Sequence, residues 1–159
     1  MTLTIVSVTE GTAALWGQIH NRIIPADPLS EDDIRQRMSR HRLTLAYDRE
    51  VAVGNATLRP PAHGSGTATV IVRVLPEFRG RGYGTEYANW ILSQAVNLDI
   101  DRIETVVLAT NETGLRFALR MGFLECDRYT LNGGSAEYVD LWLAASSHRG
   151  ASAAGKAGP

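Results

Sequence analysis

The sequence predicts an α/β fold of the α+β kind, a single mixed sheet flanked by helices. Apolar residues recur with period two in some segments and near 3.6 in others, in the order β α α β β β α β α β β. Helices alternating with strands, and strands also following one another directly, belong to a sheet of mixed direction. A β-branched run, Thr67 to Leu75, has the composition of a well-buried strand and leads into a glycine cluster at the mouth of a helix.

Each element has its own signal. Thr2 to Val8 alternates as a strand, and Thr12 to Ile24 places Leu15, Trp16, Ile19 and Ile23 on one helical face. Pro25, Asp27 and Pro28 break that helix. Ser30, with Asp33 three residues on, predicts a capping box that opens a polar helix through about Arg40. Leu43 to Tyr47 and Val51 to Leu58, joined by Asp48-Arg49-Glu50, form a hairpin pattern. Pro60 to Gly66 is a loop, and Pro76 ends the ladder bonding of the strand that follows it. Thr85 to Leu98 puts Ala88, Ile91, Leu92, Ala95 and Val96 on one helical face. Arg102 to Ala109 is a strand and Glu112 to Met121 a short helix. Phe123 to Leu131 and Glu137 to Leu143 are strands about a Gly133-Gly134 turn, with Cys126, Leu141 and Leu143 expected inside. Beyond them Ala, Ser and Gly dominate, so residues 1–143 read as a single domain and 144–159 as a disordered tail.

Composition bounds the function. The chain has 159 residues, 44% of them hydrophobic, enough for a sizeable core. With 16 Lys plus Arg against 17 Asp plus Glu and no basic run, neither a nucleic acid nor an anionic membrane is an expected partner. No stretch approaches the ~18 apolar residues of a membrane span, and Met1 to Glu10 lacks the pattern of a signal peptide. The single cysteine, Cys126, has no partner for an intramolecular disulfide. A cytoplasmic protein, monomer or homodimer, is therefore expected. Arg accounts for 15 of the 16 basic residues, a bias of coding composition without functional weight. His20, His41, His63 and His148 lack the spacing of a metal site, and no metal is expected.

The chemistry sits in Val70-Ile-Val-Arg-Val-Leu-Pro-Glu-Phe-Arg-Gly-Arg-Gly-Tyr-Gly84, a buried strand, a short turn and a glycine-rich entry into a helix. Glycines let the backbone approach a ligand with its N–H groups outward, and the helix N-terminus favours an anion. The expected ligand is a phosphate. A P-loop is excluded, because the only lysine, Lys156, lies near the C-terminal end. A dinucleotide fingerprint is a poor match: the spacing is Gly-x-Gly-x-Gly, and the next strand ends in Ala109 and Thr110 with no acid. The third pattern is Arg-x-x-Gly-x-Gly, Arg79 to Gly84, after a strand ending in Val74-Leu75-Pro76-Glu77.

That pattern in that strand context, together with Asn111 and Met121-Gly122-Phe123, resembles the GNAT superfamily of N-acetyltransferases from about Thr2 to Leu143. The resemblance implies a sheet of about seven strands, splayed in the middle and flanked by about four helices, with acetyl-CoA as cosubstrate. It implies that the N–H groups of Arg79, Gly80, Arg81, Gly82, Tyr83, Gly84 and Thr85 hold the pyrophosphate. Val74 and Leu75 would bond the pantetheine arm as an added strand does, and a backbone N–H at one of them would face the oxyanion. Asn111 would contact the pantetheine or the thiol end, although it suits a helix N-cap equally. Phe117 is expected in the same cofactor site. The acceptor would be a primary amine of a small molecule or peptide, walled by residues 21–40 and the hairpin near Gly133.

The sequence also departs from the family. Many members carry a Tyr as the acid for the leaving thiolate seven residues after the Asn and four before the Gly-Phe pair, and here that position is Ala118. General acid catalysis is worth roughly 10² to 10⁴-fold, and a thiol of pKa near 8.5 leaves even unassisted. Loss of the Tyr would therefore slow an enzyme rather than abolish it. Tyr129, Tyr138 and Tyr83 are substitutes that read equally as ordinary sheet or helix aromatics. The strand Thr67 to Val74 holds no carboxylate, so Glu104 is the nearest candidate base, reading also as a solvent-facing partner of Arg102. Arg73 either lines the acceptor site or faces solvent, Glu77 serves the turn, and Glu31, Asp32 and Asp33 suit a helix start or a cationic amine. A member that binds CoA with little turnover stays open as the alternative.

Overall fold

The computed structural model describes residues 2–131 and 133–145. Seven strands form one sheet in the order β1-β2-β3-β4-β5-β7-β6, with four α-helices, the fold class that the sequence predicts. The chain divides into two compact units, Met1–Pro60 with Ile71–Gln94, and Pro61–Val70 with Ala95–Pro159.

In the first unit β1 (Thr4–Ser7), β2 (Arg42–Asp48) and β3 (Val51–Arg59) form an antiparallel meander. Arg49, at φ 57°, makes the tight hairpin turn between the last two. Helix α1 (Ala13–Ile23) buries Trp16 and Ile19 against Ile34, Leu43, Leu45 and Leu75. The polar edges of that core are tied down as burial demands. The Trp16 indole donates to the Ala56 carbonyl at 3.3 Å, and Asn55 donates to the Trp16 carbonyl at 3.1 Å. Helix α2 (Glu31–Arg40) opens on the predicted capping box: Asp33 N–H donates to Ser30 Oγ at 3.1 Å, and Ser30 N–H to Asp33 Oδ2 at 2.9 Å. Helix α3 (Tyr83–Ala95) buries Tyr87, Ile91 and Leu92, and the Tyr87 and Thr44 hydroxyls bond at 2.6 Å. It starts two residues before the expected Thr85, because Gly82 at φ 85° turns the chain directly into the helix.

β4 (Thr67–Val74) passes from the second unit into the first. Its first residues pair in parallel with β5 (Arg102–Leu108), over Thr67–Thr69 against Arg102–Glu104. β5 continues antiparallel to β7 (Glu137–Ala144), which pairs with β6 (Leu124–Thr130). Helix α4 (Glu112–Arg120) covers the face that carries Val107, with Gly114 so close that a Cβ there would lie 3.1 Å from Val107 Cγ1. Ile103, Val139, Leu141 and Phe123 are buried in this unit.

Three expectations need correction. Cys126 is exposed, because β6 is an edge strand and its register shifts between Glu125 and Asp127, where a bulge lets a side chain leave the pleat. Leu143 is only half-buried, while Leu141 is core. The tail does not begin at Ala144: that residue ends β7, and Ala145 is buried with its N–H on the Asp101 carbonyl at 3.0 Å. The rest of the expected tail, 146–159, lies outside the described residues. Among the described residues no helix is long and apolar enough to cross a membrane.

Candidate active site

In the first unit the site begins where β4 ends. Leu75 is buried, and its N–H donates to the Val53 carbonyl at 2.9 Å. Successive N–H groups of an extended strand point to opposite edges, so that of Val74 points away from β3. The approach of the two strands requires Gly54, where a Cβ would sit 2.2 Å from the Arg73 carbonyl oxygen. Pro76–Phe78 then form a single 3₁₀ turn, held by Phe78 N–H on the Leu75 carbonyl at 2.9 Å. The Arg79 side chain folds back, its Nε donating to the Val74 carbonyl at 2.9 Å. Arg81 packs over the Phe78 ring at 5.6 Å and donates to the Glu77 carbonyl at 3.3 Å.

Gly80 and Gly82 lie at φ 77° and 85°, a region that side chains with a Cβ rarely occupy. A Cβ at either would meet nothing within 4 Å. Space, not crowding, lies before this turn. Among the described residues none of the N–H groups from Gly80 to Gly84 donates to a turn or loop carbonyl, and the first turn of a helix leaves its own N–H groups unpaired. The strand, the left-handed turn and the bare helix start thus leave N–H groups without partners beside open space, an arrangement suited to an anion. Thr85 is exposed beside it. Tyr83 is buried, and its hydroxyl donates to the Asp48 carboxylate, a bond that raises the phenol above its usual pKa. Its ring pins the start of α3 to the β2–β3 turn. Glu77 pairs with Arg22 at 2.6 Å, and that bond holds its carboxyl below the ordinary range.

Arg73 does not face solvent. Its Nη1 is sealed and has no hydrogen-bond partner among the described residues. Burial, then the fields of Arg37 and Arg59, lower its pKa to about 10, with Asp27 opposing. His20, stacked on Trp16 at 5.7 Å, lies 3.2 Å by Nε2 from the Asp27 carbonyl. A carbonyl only accepts, so Nε2 carries the proton and the sealed Nδ1 is a bare lone pair. Burial, then the Arg73 charge, lower the His20 pKa to about 4. Of the acids at the start of α2, Asp33 is held in the capping box and Asp32 faces Arg35 at 3.5 Å.

The second unit holds the other expected residues. Asn111 caps α4, its Oδ1 accepting from Gly114 N–H at 3.0 Å. Phe117 is half-buried on that helix, and Ala118 is buried, so α4 offers no acid there. Glu104 forms an ion pair with Arg102 at 3.2 Å, and Arg102 lies over the Trp142 ring at 4.8 Å. Tyr129 stacks on Tyr138 at 6.0 Å and donates to Asp140 Oδ1 at 3.0 Å. By strand alternation Glu104, Tyr129, Tyr138 and Asp140 lie on the face opposite α4. They do not meet, however. Glu104 registers with Trp142, whereas Tyr129 and Leu108 both register with Tyr138, four residues along β5. At about 3.3 Å per residue and about 4.8 Å per strand, the two sit ~16 Å apart. Asp140 escaped the sequence reading, although its alternation with Tyr138 and Trp142 in β7 was the available signal.

Residues 13–123 match the family model described as the Acetyltransferase (GNAT) family. The chain therefore belongs to that family of acetyl-CoA-dependent acyltransferases. No curated protein matches it in sequence. Solved structures share its fold at low identity. Spermidine N-acetyltransferase from Vibrio cholerae, in complex with CoA and spermine, is 17% identical with a TM-score of 0.77, covering 93% of this chain and 98% of that one. YncA from Salmonella typhimurium, assigned as an acetyltransferase and solved with acetyl-CoA, is 15% identical with a TM-score of 0.74 over 91% and 95%. A protein assigned as a phosphinothricin N-acetyltransferase is 19% identical with a TM-score of 0.77 over 89% and 98%.

Proposed function

We propose that this chain transfers the acetyl group of acetyl-CoA to a primary amine of a small molecule by direct attack, and that residues 1–143 act as one acetyltransferase domain. The observation that carries this reading is the strand β4, left-handed turn and bare α3 start, which lie inside the stretch matched to the acetyltransferase family. The open space before Gly80 and Gly82 fits a pyrophosphate, held by the N–H groups from Gly80 to Thr85. The cofactor supplies an activated acetyl thioester.

The amine nitrogen bonds to the thioester carbon, the carbon–sulfur bond breaks, the thiolate takes up a proton and the new ammonium gives one up. The Val74 N–H is the oxyanion donor, since that of Leu75 is committed to Val53. The Tyr129 hydroxyl, bonded to Asp140, is the side chain that handles a proton, and Glu104 serves its ion pair with Arg102. Asn111 caps α4, with Phe117 on the same helix, and the two are the residues of α4 assigned to the pantetheine arm. Bound acetyl-CoA and an amine panel should release free thiol, read with a thiol reagent. Gly82→Val meets no neighbour within 4 Å but strains the turn at φ 85°, so its folding is checked by circular dichroism, and the folded variant should lose CoA binding by calorimetry as its side chain fills the phosphate position. Undiminished CoA affinity in that variant would refute the placement. Tight CoA binding with no thiol release on any amine would instead favour a binder with little turnover.

A further inference from the structure

The acceptor side of the first unit carries a cationic cluster that the acyl transfer itself does not use. A cavity of about 380 Å³ is lined by Arg37, Arg40, His41 and Arg59, with Asp27 and Asp33 opposite them. Asp33 is already held by Ser30 in the capping box, and Asp27 is the other carboxylate of the lining. Arg73 adds a fourth, and the groups that act on it, Arg37, Arg59 and Asp27, all line this cavity. His20 and His41 each have a sealed Nδ1 without a hydrogen-bond partner among the described residues, and burial, then the neighbouring arginines, lower the pKa of both.

Arg73 is half-buried with its Nη1 sealed from water, and a sealed, unpaired guanidinium nitrogen is costly unless an anion reaches it. Arg73 has none among the described residues: no hydrogen bond or ion pair ties its side chain to the protein. It also precedes Val74, the residue whose N–H is assigned to the oxyanion. An anion gripped at Arg73 would set an amine a few bonds away against the acetyl carbon, and the fork of an arginine suits an oxyanion with two equivalent oxygens.

We infer that Arg73, backed by Arg37 and Arg59, binds an anionic oxygen group on the acceptor, so that the substrate is an amine bearing a carboxylate or phosphonate rather than a polyamine. This rests on the acetyltransferase reading above and narrows its substrate. A polyamine would bring further ammonium groups beside Arg37, Arg40 and Arg59, whereas the carboxylate of an amino acid would supply the partner that Arg73 Nη1 lacks.

The test measures thiol release from acetyl-CoA by the full chain with four kinds of acceptor: α-amino acids, their carboxamides, aminoalkyl phosphonates and linear polyamines. A carboxylate-bearing or phosphonate-bearing amine should exceed its matched amide in kcat/KM by at least about tenfold. The faster of the two anions identifies the source of the charge. Arg73→Gln should bring the pair within about threefold, Arg73→Lys should restore part of the preference, and Arg37→Gln, at a half-buried helix position, should weaken it without risk to β4. Equal or faster turnover of amides or polyamines, with wild-type preference kept in Arg73→Gln, overturns the inference and leaves the acetyltransferase reading standing. If no acceptor releases thiol, calorimetry with N-acetylated amino acids decides. Binding that Arg73→Gln abolishes supports the anion site while the transfer reading fails, and absence of binding overturns both.

Discussion

His20 shows how a single side chain takes its properties from the fold. In the sequence it is one of four scattered histidines; in the structure it stacks on Trp16, donates to Asp27 and sits in the field of Arg73. Its pKa falls from 6.5 to about 4, so the folded state favours the neutral ring more strongly than the unfolded state does. That contribution to stability is complete above pH 6.5 and is lost as the pH falls from 6.5 towards 4. His41, lowered by burial and by Arg59, Arg37 and Arg40, adds in the same direction. A tenfold difference in proton affinity between the folded and unfolded chains corresponds to about 1.4 kcal/mol, so urea unfolding between pH 7 and pH 5 should show a loss on the order of 1–2 kcal/mol. The carboxyls held low, Asp33, Glu77 and Glu125, act below that range. His20→Gln should flatten the slope, and an unchanged slope in that variant would assign the loss elsewhere.

Among the elements, α2 is the one that its own sequence specifies most completely. A mean composition too polar to drive burial leaves it with one buried anchor, Ile34, and with the reciprocal bonds of Ser30 and Asp33 at its start. Ser30→Ala should therefore cost about 1 kcal/mol in chemical denaturation, and Asp33→Ala a similar amount. A loss near zero would mean that the packing of Ile34 beside Gly17, where a Cβ would lie 2.3 Å from Ile34 Cδ1, holds the helix alone. β4 is the opposite case. Its β-branched composition marks it as a strand, but its course past Gly54 and the commitment of Leu75 to Val53 follow from a neighbour some twenty residues earlier. Which of its N–H groups stays available is thus decided across the sheet. β6 likewise reads as a strand, yet only its edge position and register shift put Cys126 outside.

For the whole molecule, family membership makes ligand linkage a global test. A ligand that binds the folded chain alone stabilises it by RT ln(1 + [L]/Kd), about 2.7 kcal/mol at a hundredfold excess over Kd. Acetyl-CoA should therefore raise the unfolding midpoint in proportion to log concentration, and the Gly82→Val variant should not respond. A wild-type midpoint indifferent to acetyl-CoA would contradict the cradle assigned to Gly80–Thr85. The order of elements, the capping box, the hairpin, the glycine turn and the family were legible in the chain, because periodicity, caps and glycine spacing are local properties that neighbouring residues impose. The sequence by itself also located the departure at Ala118. Only the tertiary structure decided that Arg73 Nη1 is sealed, that Glu104 is bound to Arg102 and lies ~16 Å from Tyr129, and that Asp140 receives the Tyr129 hydroxyl. Those facts depend on register, on burial and on the fields of charges distant in sequence, quantities that exist only once the strands have paired.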